Sequence, residues 1–165
     1  MGRALGRMGV RAGTHVALTS PQGRAVETAR IALGPLGMEA RPEPLLREVG
    51  MGAWAGLGAA EIAAGWPGPE GEGLLDFYAR APGGEGLDAL WARVGALLAR
   101  LDRPAVVVTH GMTSRFLRGR ALGWGRGRLA ELPGGQGLVH RVRDGRHETV
   151  DPSVDPVLDG TAGRE

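Results

Sequence analysis

A run of three valines constrains the fold of this chain more than any other feature of its sequence. Val106–Val108 lies between Pro104 and the turn-forming pair His110-Gly111. A short β-branched run bounded in this way is typical of an inner strand of a parallel sheet. Because functional groups of open α/β sheets gather at the carboxyl ends of such strands, we expect His110 to lie where chemistry takes place. Gly111 would let a ligand approach the backbone closely.

The length and composition indicate one globular domain. With 165 residues the chain is long enough to bury a core, and we expect a domain over residues 1–150 followed by a flexible tail over residues 151–165, rich in Pro, Asp and Gly. It contains no cysteine. Disulfides, thiolate chemistry and cysteine-based zinc sites are therefore excluded.

The charge pattern and the lack of long apolar runs limit the partners that we expect. All 20 basic residues are arginine, yet the net charge is only +2. No dense arginine run is interleaved with aromatic residues, so we expect no nucleic-acid partner. No apolar run reaches the length of a membrane span, and the N-terminus lacks the apolar core of a signal peptide, so we expect a cytoplasmic protein without a membrane partner.

Strand-like and helix-like patterns alternate along the chain. Strands are predicted at residues 16–19, 38–46, 106–108 and 139–142 and near Thr149, and helices at residues 4–10, 23–33, 59–64, 74–81, 86–101 and 112–122. Pro42 and Pro44 favour an edge position for the second strand. Asp144-Gly145 predicts a hairpin turn. The alternation predicts an α/β fold, a three-layer α/β/α sandwich around a mostly parallel sheet.

A first candidate site follows the strand at residues 16–19. Arg24 lies on the first turn of the next helix, where its guanidinium is close to free backbone N–H groups and suits a phosphate or carboxylate ligand. Ser20, Gln22 and Gly23 lie in the same turn. We predict that these three residues and Gly111 line a substrate site.

A second candidate is Glu48, which closes the next strand-like segment and leads into a glycine-rich loop containing Trp54. An apolar neighbour favours the protonated carboxyl group that a general acid needs. Taken singly, Arg24 and Glu48 are also consistent with ordinary solvated side chains, and His110 with a structural histidine.

The other histidines are weaker candidates. His15 precedes its strand, so it is expected at the opposite edge of the sheet, on the order of 16 Å from Ser20 at about 3.3 Å per residue. His140 and His147 lie in the C-terminal strands, and we assign them no role.

Five motifs in this chain, taken in order, resemble those of the histidine phosphatase superfamily, the phosphoglycerate mutase-like proteins. The resemblance extends over residues 4–150. The motifs are Ser20-Pro21 with Arg24-Ala25 and Thr28-Ala29, Leu46-Arg47-Glu48 with Gly52, Trp54 and Gly56, Pro82-Gly83-Gly84-Glu85, Val107-Val108-Thr109-His110-Gly111, and Gly135-Gln136-Gly137.

The resemblance implies a phosphomonoesterase mechanism. In this family a histidine attacks the phosphoryl group, and water cleaves the resulting phosphohistidine. His110 would contact the phosphate oxygens, Arg24 would neutralise their charge, and Glu48 would protonate the leaving alcohol, since phosphoryl transfer depends mainly on positioning and charge stabilisation. The partner would be a small phosphate ester. No metal or other cofactor is required, and no clustered ligand set suggests one.

The chain departs from the family pattern at one point. The family's nucleophile lies in an Arg-His-Gly motif at the end of a first strand, and these 165 residues contain no such motif. We therefore expect little or no phosphatase turnover, and a start codon assigned too far downstream would explain the missing strand. That strand lies inside the family's sheet. Its absence would leave backbone groups unpaired, so we expect low solubility or a dimer, although the sequence leaves the oligomeric state open.

Several functions remain open on the sequence. One alternative is a non-catalytic pseudoenzyme that binds a phosphorylated metabolite or a partner protein through Arg24, Glu48 and His110. Within the family, the short segment between Gly56 and Pro82 favours a phosphatase over a phosphoglycerate mutase. An unrelated α/β binding domain is a further alternative. Sugar phosphates, ribazole phosphate and phosphoglycerates all remain candidate substrates.

Overall fold

The computed structural model describes residues 1–153 of the chain as a mixed α/β structure. Its helices are α1 (Gly2–Arg7), α2 (Gly23–Leu33), α3 (Ala59–Gly65), α4 (Leu74–Ala79), α5 (Leu87–Ala99) and α6 (Gly111–Ala121), and its strands are β1 (Val16–Thr19), β2 (Arg41–Pro42), β3 (Ala105–Val108), β4 (Val139–Arg143) and β5 (Arg146–Val150). Short 3₁₀ helices cover Gly34–Leu36, Pro44–Leu46, Gly52–Trp54 and Arg126–Glu131. Most of the predicted tail, residues 154–165, lies outside the described residues.

The three strands that precede α6 form a parallel sheet in the order β2-β1-β3. Leu18 of β1 is paired with Arg41 on one side and with Val107 on the other. Strands β4 and β5 form a separate antiparallel hairpin that turns at Asp144-Gly145, as predicted. The mixed α/β fold with a mostly parallel sheet is thus confirmed.

The second strand is much shorter than predicted. The sequence indicated an extended segment over residues 38–46, whereas β2 has two residues and Pro44–Leu46 is a 3₁₀ helix. The side chain of Glu43 accepts a hydrogen bond from the N–H of Leu45 at 3.1 Å and so caps this turn. The edge position favoured by the prolines is confirmed.

The position predicted for the valine strand was wrong. Within residues 1–153, β3 pairs only with β1 and therefore lies at an edge of the sheet. Its side chains nevertheless pack on both faces of the sheet, where they are partly buried: Val107 packs against one core cluster, and Val106 and Val108 pack against the other. A continuous apolar run indicates burial of both faces of a strand, which does not require a neighbour at both edges.

Helices cover both faces of the parallel sheet, which gives the predicted three layers. On one face α5 and α6 supply a core whose buried members are Leu18, Leu46, Val49, Leu90, Val94, Leu97, Met112, Phe116, Leu117, Leu129 and Leu132. On the other face α1 and α2 supply Leu5, Ala29, Ala32 and Leu33, which pack with Ala17. Consecutive residues of β1 thus point into opposite cores, as the alternation of a strand requires.

The limits of α1 differ from those predicted. The helix begins at Gly2 and ends at Arg7, whereas the sequence indicated residues 4–10. Gly9 has a φ of 85°, a left-handed conformation that stops the helix. None of the helices in the described part of the chain has the length and apolar character needed to cross a membrane.

Candidate active site

The carboxyl ends of the three parallel strands meet at one edge of the sheet, and the predicted site residues gather there. Ser20 directly follows β1, Glu48 follows the 3₁₀ turn after β2, and His110 lies between β3 and α6. The parallel direction of the strands brings all three ends together, which was the basis of the sequence prediction.

His110 and Ser20 form a buried pair at the centre of this edge. The His110 Nε2 atom lies 2.7 Å from the Ser20 Oγ atom, and Ser20 Oγ also accepts a hydrogen bond from the N–H of Gln22 at 3.3 Å. Ser20 is fully buried, whereas His110 keeps 9% of its surface exposed. We predicted Ser20 as a substrate-lining residue. In this structure its direct contact is with the His110 ring, and its burial argues against a role as a nucleophile.

The imidazole of His110 favours the neutral form. Burial lowers its pKa, and the positive charges of Arg24 and Arg93 act in the same direction, against the opposing effect of Glu48. His110 is also the N-cap residue of α6, with extended φ and ψ angles. The start of α6 therefore fixes the backbone of the residue whose ring faces Ser20.

The carboxylate of Glu48 lies at the N-terminus of α6. Its Oε1 atom accepts hydrogen bonds from the N–H of Val49 at 3.0 Å, the N–H of Thr113 at 3.0 Å and the Thr113 hydroxyl at 3.1 Å. Its Oε2 atom accepts one from the N–H of Met112 at 3.2 Å. The free N–H groups of a helix N-terminus need hydrogen-bond acceptors, so the carboxyl oxygens of Glu48 fit this position.

The surroundings predicted for Glu48 were wrong. We expected an apolar contact with Trp54, but four hydrogen-bond donors reach the carboxylate. The Trp54 ring instead packs against Trp66 and Phe77, with the Arg80 guanidinium 4.7 Å from its centroid. The five residues between Glu48 and Trp54 turn the two side chains toward different partners, which sequence distance does not reveal.

The other predicted residues lie around this pair. Gln22 joins two strand ends, because its side-chain oxygen accepts a hydrogen bond from the N–H of Glu48 at 3.2 Å. Gly23 and Arg24 form the exposed first turn of α2. A Cβ at Gly111 would lie 3.8 Å from the Oε2 atom of Glu48, so this glycine leaves the carboxylate accessible from one side.

Two residues of the site were not predicted. Thr113 is fully buried, and its hydroxyl lies 2.7 Å from the carbonyl oxygen of Arg47. Tyr78 on α4 is close enough for Glu48 to raise its pKa, after the larger effect of burial. A threonine three residues after a strand-end histidine is a weak sequence signal for the first, and we find no signal for the second.

The remaining histidines lie away from this edge. His15 precedes β1 at the opposite end of the strand and hydrogen-bonds to Thr14, at 2.8 Å. His140 and His147 lie on the hairpin, where their rings stack with centroids 5.4 Å apart. The site described above therefore contains one histidine, one carboxylate and one exposed arginine, a combination suited to binding an anion and transferring a proton.

Comparison with known proteins identifies the family. The model of the Histidine phosphatase superfamily (branch 1) matches residues 1–150. Bifunctional protein Rv2228c of Mycobacterium tuberculosis is 32% identical over 137 residues, which are 80% of this chain and 38% of that protein. The chain thus spans less than half the length of this curated relative.

Solved structures of phosphatases have the same fold. A mycobacterial glucosyl-3-phosphoglycerate phosphatase, Rv2419c, is 25% identical with a TM-score of 0.68, and the match covers 91% of this chain and 80% of that chain. The alpha-ribazole phosphatase from Shigella flexneri is 20% identical with a TM-score of 0.63, over 82% of this chain and 71% of that chain. The chain belongs to the histidine phosphatase superfamily.

Proposed function

We propose that the strand-end site binds the phosphoryl group of a small phosphate monoester. The observation that carries this proposal is the convergence of His110, Glu48 and the N-terminus of α6 at one edge of the sheet, with Arg24 on the first turn of α2. Arg24 and His110 would hold the phosphoryl oxygens, since a guanidinium and a helix-end imidazole both suit an oxyanion. Ser20 would orient the His110 ring through the contact between its Oγ atom and His110 Nε2.

Glu48 is proposed as the group that protonates the leaving alcohol. Its Oε1 atom accepts three hydrogen bonds, whereas its Oε2 atom accepts only the one from Met112. Oε2 is therefore the oxygen better placed to carry a proton. When the phosphorus–oxygen bond breaks, the leaving oxygen keeps the electron pair and would take that proton.

A phosphatase of this family needs a nucleophile, whereas a protein that only binds phosphate esters does not. In the phosphohistidine mechanism a histidine nitrogen forms a bond to phosphorus, and water then displaces it. His110 is hydrogen-bonded to Ser20. His15 lies at the other end of β1, and His140 and His147 lie on the hairpin. We therefore propose that these 165 residues bind phosphate esters with little turnover. The placement of the histidines favours a pseudoenzyme-like binding role for this chain, with hydrolysis by the family mechanism as the other candidate.

Phosphate binding is tested by isothermal titration calorimetry with inorganic phosphate. We expect Arg24→Gln to weaken the affinity about tenfold or more, as for the loss of a charge-assisted hydrogen bond. Arg30→Gln is the matched control, because Arg30 is exposed on the same helix but is paired with Glu27 at 2.7 Å. Equal affinities of the two variants, or no binding by the wild type, would contradict the proposal.

Turnover is tested with p-nitrophenyl phosphate on the same preparations. We expect little or no release of p-nitrophenol by the wild type. Strong hydrolysis that His110→Ala abolishes would instead establish the enzyme and exclude the binding-only role.

A further inference from the structure

A buried ion pair lies directly behind the loop that carries Glu48. The Arg93 guanidinium on α5 donates to both carboxylate oxygens of Glu85, from Nε at 2.5 Å and from Nη2 at 2.9 Å. The side chains of Glu85 and Arg93 are only 10% and 8% exposed. Neither residue contacts His110 or Ser20 through a hydrogen bond, so the pair is not part of the site described above.

This ion pair holds the Glu48 loop at both of its ends. The third guanidinium nitrogen, Nη1 of Arg93, donates to the carbonyl oxygen of Leu45 at 2.6 Å. Glu85 Oε2 accepts a hydrogen bond from the N–H of Gly50 at 3.2 Å, and the N–H of Glu85 donates to the Gly50 carbonyl at 2.8 Å. Glu48 lies between these two attachment points, three residues after one and two before the other.

The packing leaves this loop little freedom to shift. A Cβ at Gly84 would lie 2.8 Å from the Gly50 carbonyl oxygen, and a Cβ at Gly50 would lie 3.3 Å from the Cβ of Glu85. Side chains at either glycine would push the two segments apart. The close backbone approach and the ion pair therefore act together on the same loop.

The carboxylate of Glu85 remains ionised at neutral pH. Burial tends to raise the pKa of Glu85, but the hydrogen bonds from Arg93 and from the Gly50 N–H outweigh it, and the pKa lies below its ordinary value. Arg47 adds a weaker attraction, with its Nη2 atom 3.5 Å from Glu85 Oε1. A buried charge that loses its partner is strongly unfavourable, so the pair keeps its geometry.

We infer that Glu85 and Arg93 are positioning residues, which hold Glu48 against the N-terminus of α6 by fixing the backbone at Leu45 and Gly50. The catalytic meaning of this inference rests on the proposed function, in which Glu48 protonates the leaving group. The structural part does not, because it concerns only the contact between Glu48 and the amides of Met112 and Thr113.

The test is to record the backbone amide resonances of Met112 and Thr113 by ¹H–¹⁵N NMR. Glu48→Ala defines the resonance positions without the carboxylate. We expect Glu85→Gln and Arg93→Lys to move both resonances in the same direction, by most of that change. Glu72→Gln is the matched control. Arg80 also donates two hydrogen bonds to Glu72, with the same eight-residue spacing, and neither residue hydrogen-bonds to Leu45 or Gly50.

The same variants separate this inference from the proposed function. Phosphate affinity should stay within about twofold of wild type in Glu85→Gln, since the hydrogen bonds of Glu85 and Arg93 go to each other and to the backbone of Leu45 and Gly50 rather than to Arg24 or His110. If a preparation turns over substrate, kcat should fall about tenfold or more with little change in KM, as expected for a misplaced general acid. Failure of the wild type to bind phosphate would overturn the proposed function and leave the amide test intact.

Unchanged Met112 and Thr113 resonances in a folded Glu85→Gln or Arg93→Lys variant would overturn the positioning role. If Glu85→Gln does not fold, Glu85→Asp carries the same test, because it keeps the charge and shortens the reach by one methylene. A shift in the Glu72→Gln control equal to that in Glu85→Gln would also contradict the inference, since it would indicate a general loss of packing.

Discussion

Thr113 shows how much of the site depends on one buried residue. Its N–H donates to Glu48, and its hydroxyl lies within hydrogen-bond distance of both Glu48 and the Arg47 carbonyl oxygen. The single proton of the hydroxyl is shared between these two acceptors, and the contact with the Arg47 carbonyl oxygen, at 2.7 Å, is the shorter one. Thr113 thus connects the first turn of α6 to two neighbouring residues of the loop, Arg47 and Glu48.

Replacing Thr113 by valine should be costly, because the shape is kept while a buried carbonyl loses its partner. We expect Thr113→Val to lower the free energy of unfolding by about 1–3 kcal/mol, measured by urea denaturation. Thr28→Val is the control, since the Thr28 hydroxyl bonds to the Arg24 carbonyl on an exposed helix face. Its effect should be within about 0.5 kcal/mol. Equal losses in both variants would contradict the importance assigned to Thr113.

At the scale of elements, the hairpin β4–β5 docks on α6 through neutral histidines. The Arg118 Nη1 atom on α6 lies 2.9 Å from His147 Nε2. Because a guanidinium only donates, this nitrogen of His147 accepts and the ring proton lies on Nδ1. Burial, the charges of Arg118 and Arg115, and the repulsion that a protonated His147 would exert lower the pKa of His140 to about 4. Burial and the charge of Arg118 lower the pKa of His147.

Because of these histidines, we expect the folded protein to be less stable in mild acid than at neutral pH. The folded pKa of each histidine lies below its unfolded value of about 6.5, so the unfolded chain binds more protons between these values. The two histidines therefore leave the free energy of unfolding at its full value above pH 6.5 and lower it as the pH falls toward 4. For His140 we expect a loss of about 1–2 kcal/mol, after allowance for its partial exposure.

Urea denaturation at pH 7, 5 and 4 measures this loss, and hydrogen exchange locates it on residues 139–150. In His140→Phe, which keeps an aromatic ring beside His147, the free energy of unfolding should fall less between pH 7 and 4 than in the wild type. His15→Gln, outside the hairpin, should retain the wild-type pH dependence. A wild-type slope in His140→Phe would refute the role of the hairpin.

At the scale of the whole molecule, the free edge of β3 is the main structural liability. The carbonyl groups of Pro104 and Val108 point toward β1. They accept hydrogen bonds from the N–H groups of Val16, at 2.9 Å, and Ser20, at 2.8 Å. Because alternate residues of a strand point in opposite directions, the N–H and C=O of Val107 face the other edge. Within residues 1–153 no strand pairs with that edge. An apolar strand with an unpaired edge favours association with another chain.

We expect the 165-residue chain to self-associate in a concentration-dependent manner, with a dimer as the first species, as measured by sedimentation velocity. Val107→Pro should weaken this association, because it removes an N–H that β1 does not use. Val107→Thr retains both the N–H and the β-branched shape, and it should behave as the wild type does. A monodisperse monomer that melts cooperatively would contradict the prediction.

Local patterns in the sequence were sufficient for the elements and for the edge where the site lies. The apolar stripe that includes Leu90, Val94 and Leu97 predicted α5, because helical periodicity depends only on neighbouring residues. His110 and Ser20 were placed at strand ends for the same reason, and the parallel strand direction brought them to 2.7 Å. Family motifs added the identity of the superfamily, which the comparisons confirm.

Contacts between distant segments were decided by the tertiary structure alone. The sequence did not show that Glu48 lies on the amides of Met112 and Thr113, or that Glu85 and Arg93 hold its loop. Nor did it show that the valine strand lies at an edge. Every residue except proline carries the same backbone N–H and C=O groups, so their pairing leaves little trace in the residue types. The packing of α5 and α6 over the sheet decides which backbone groups and side chains come into contact.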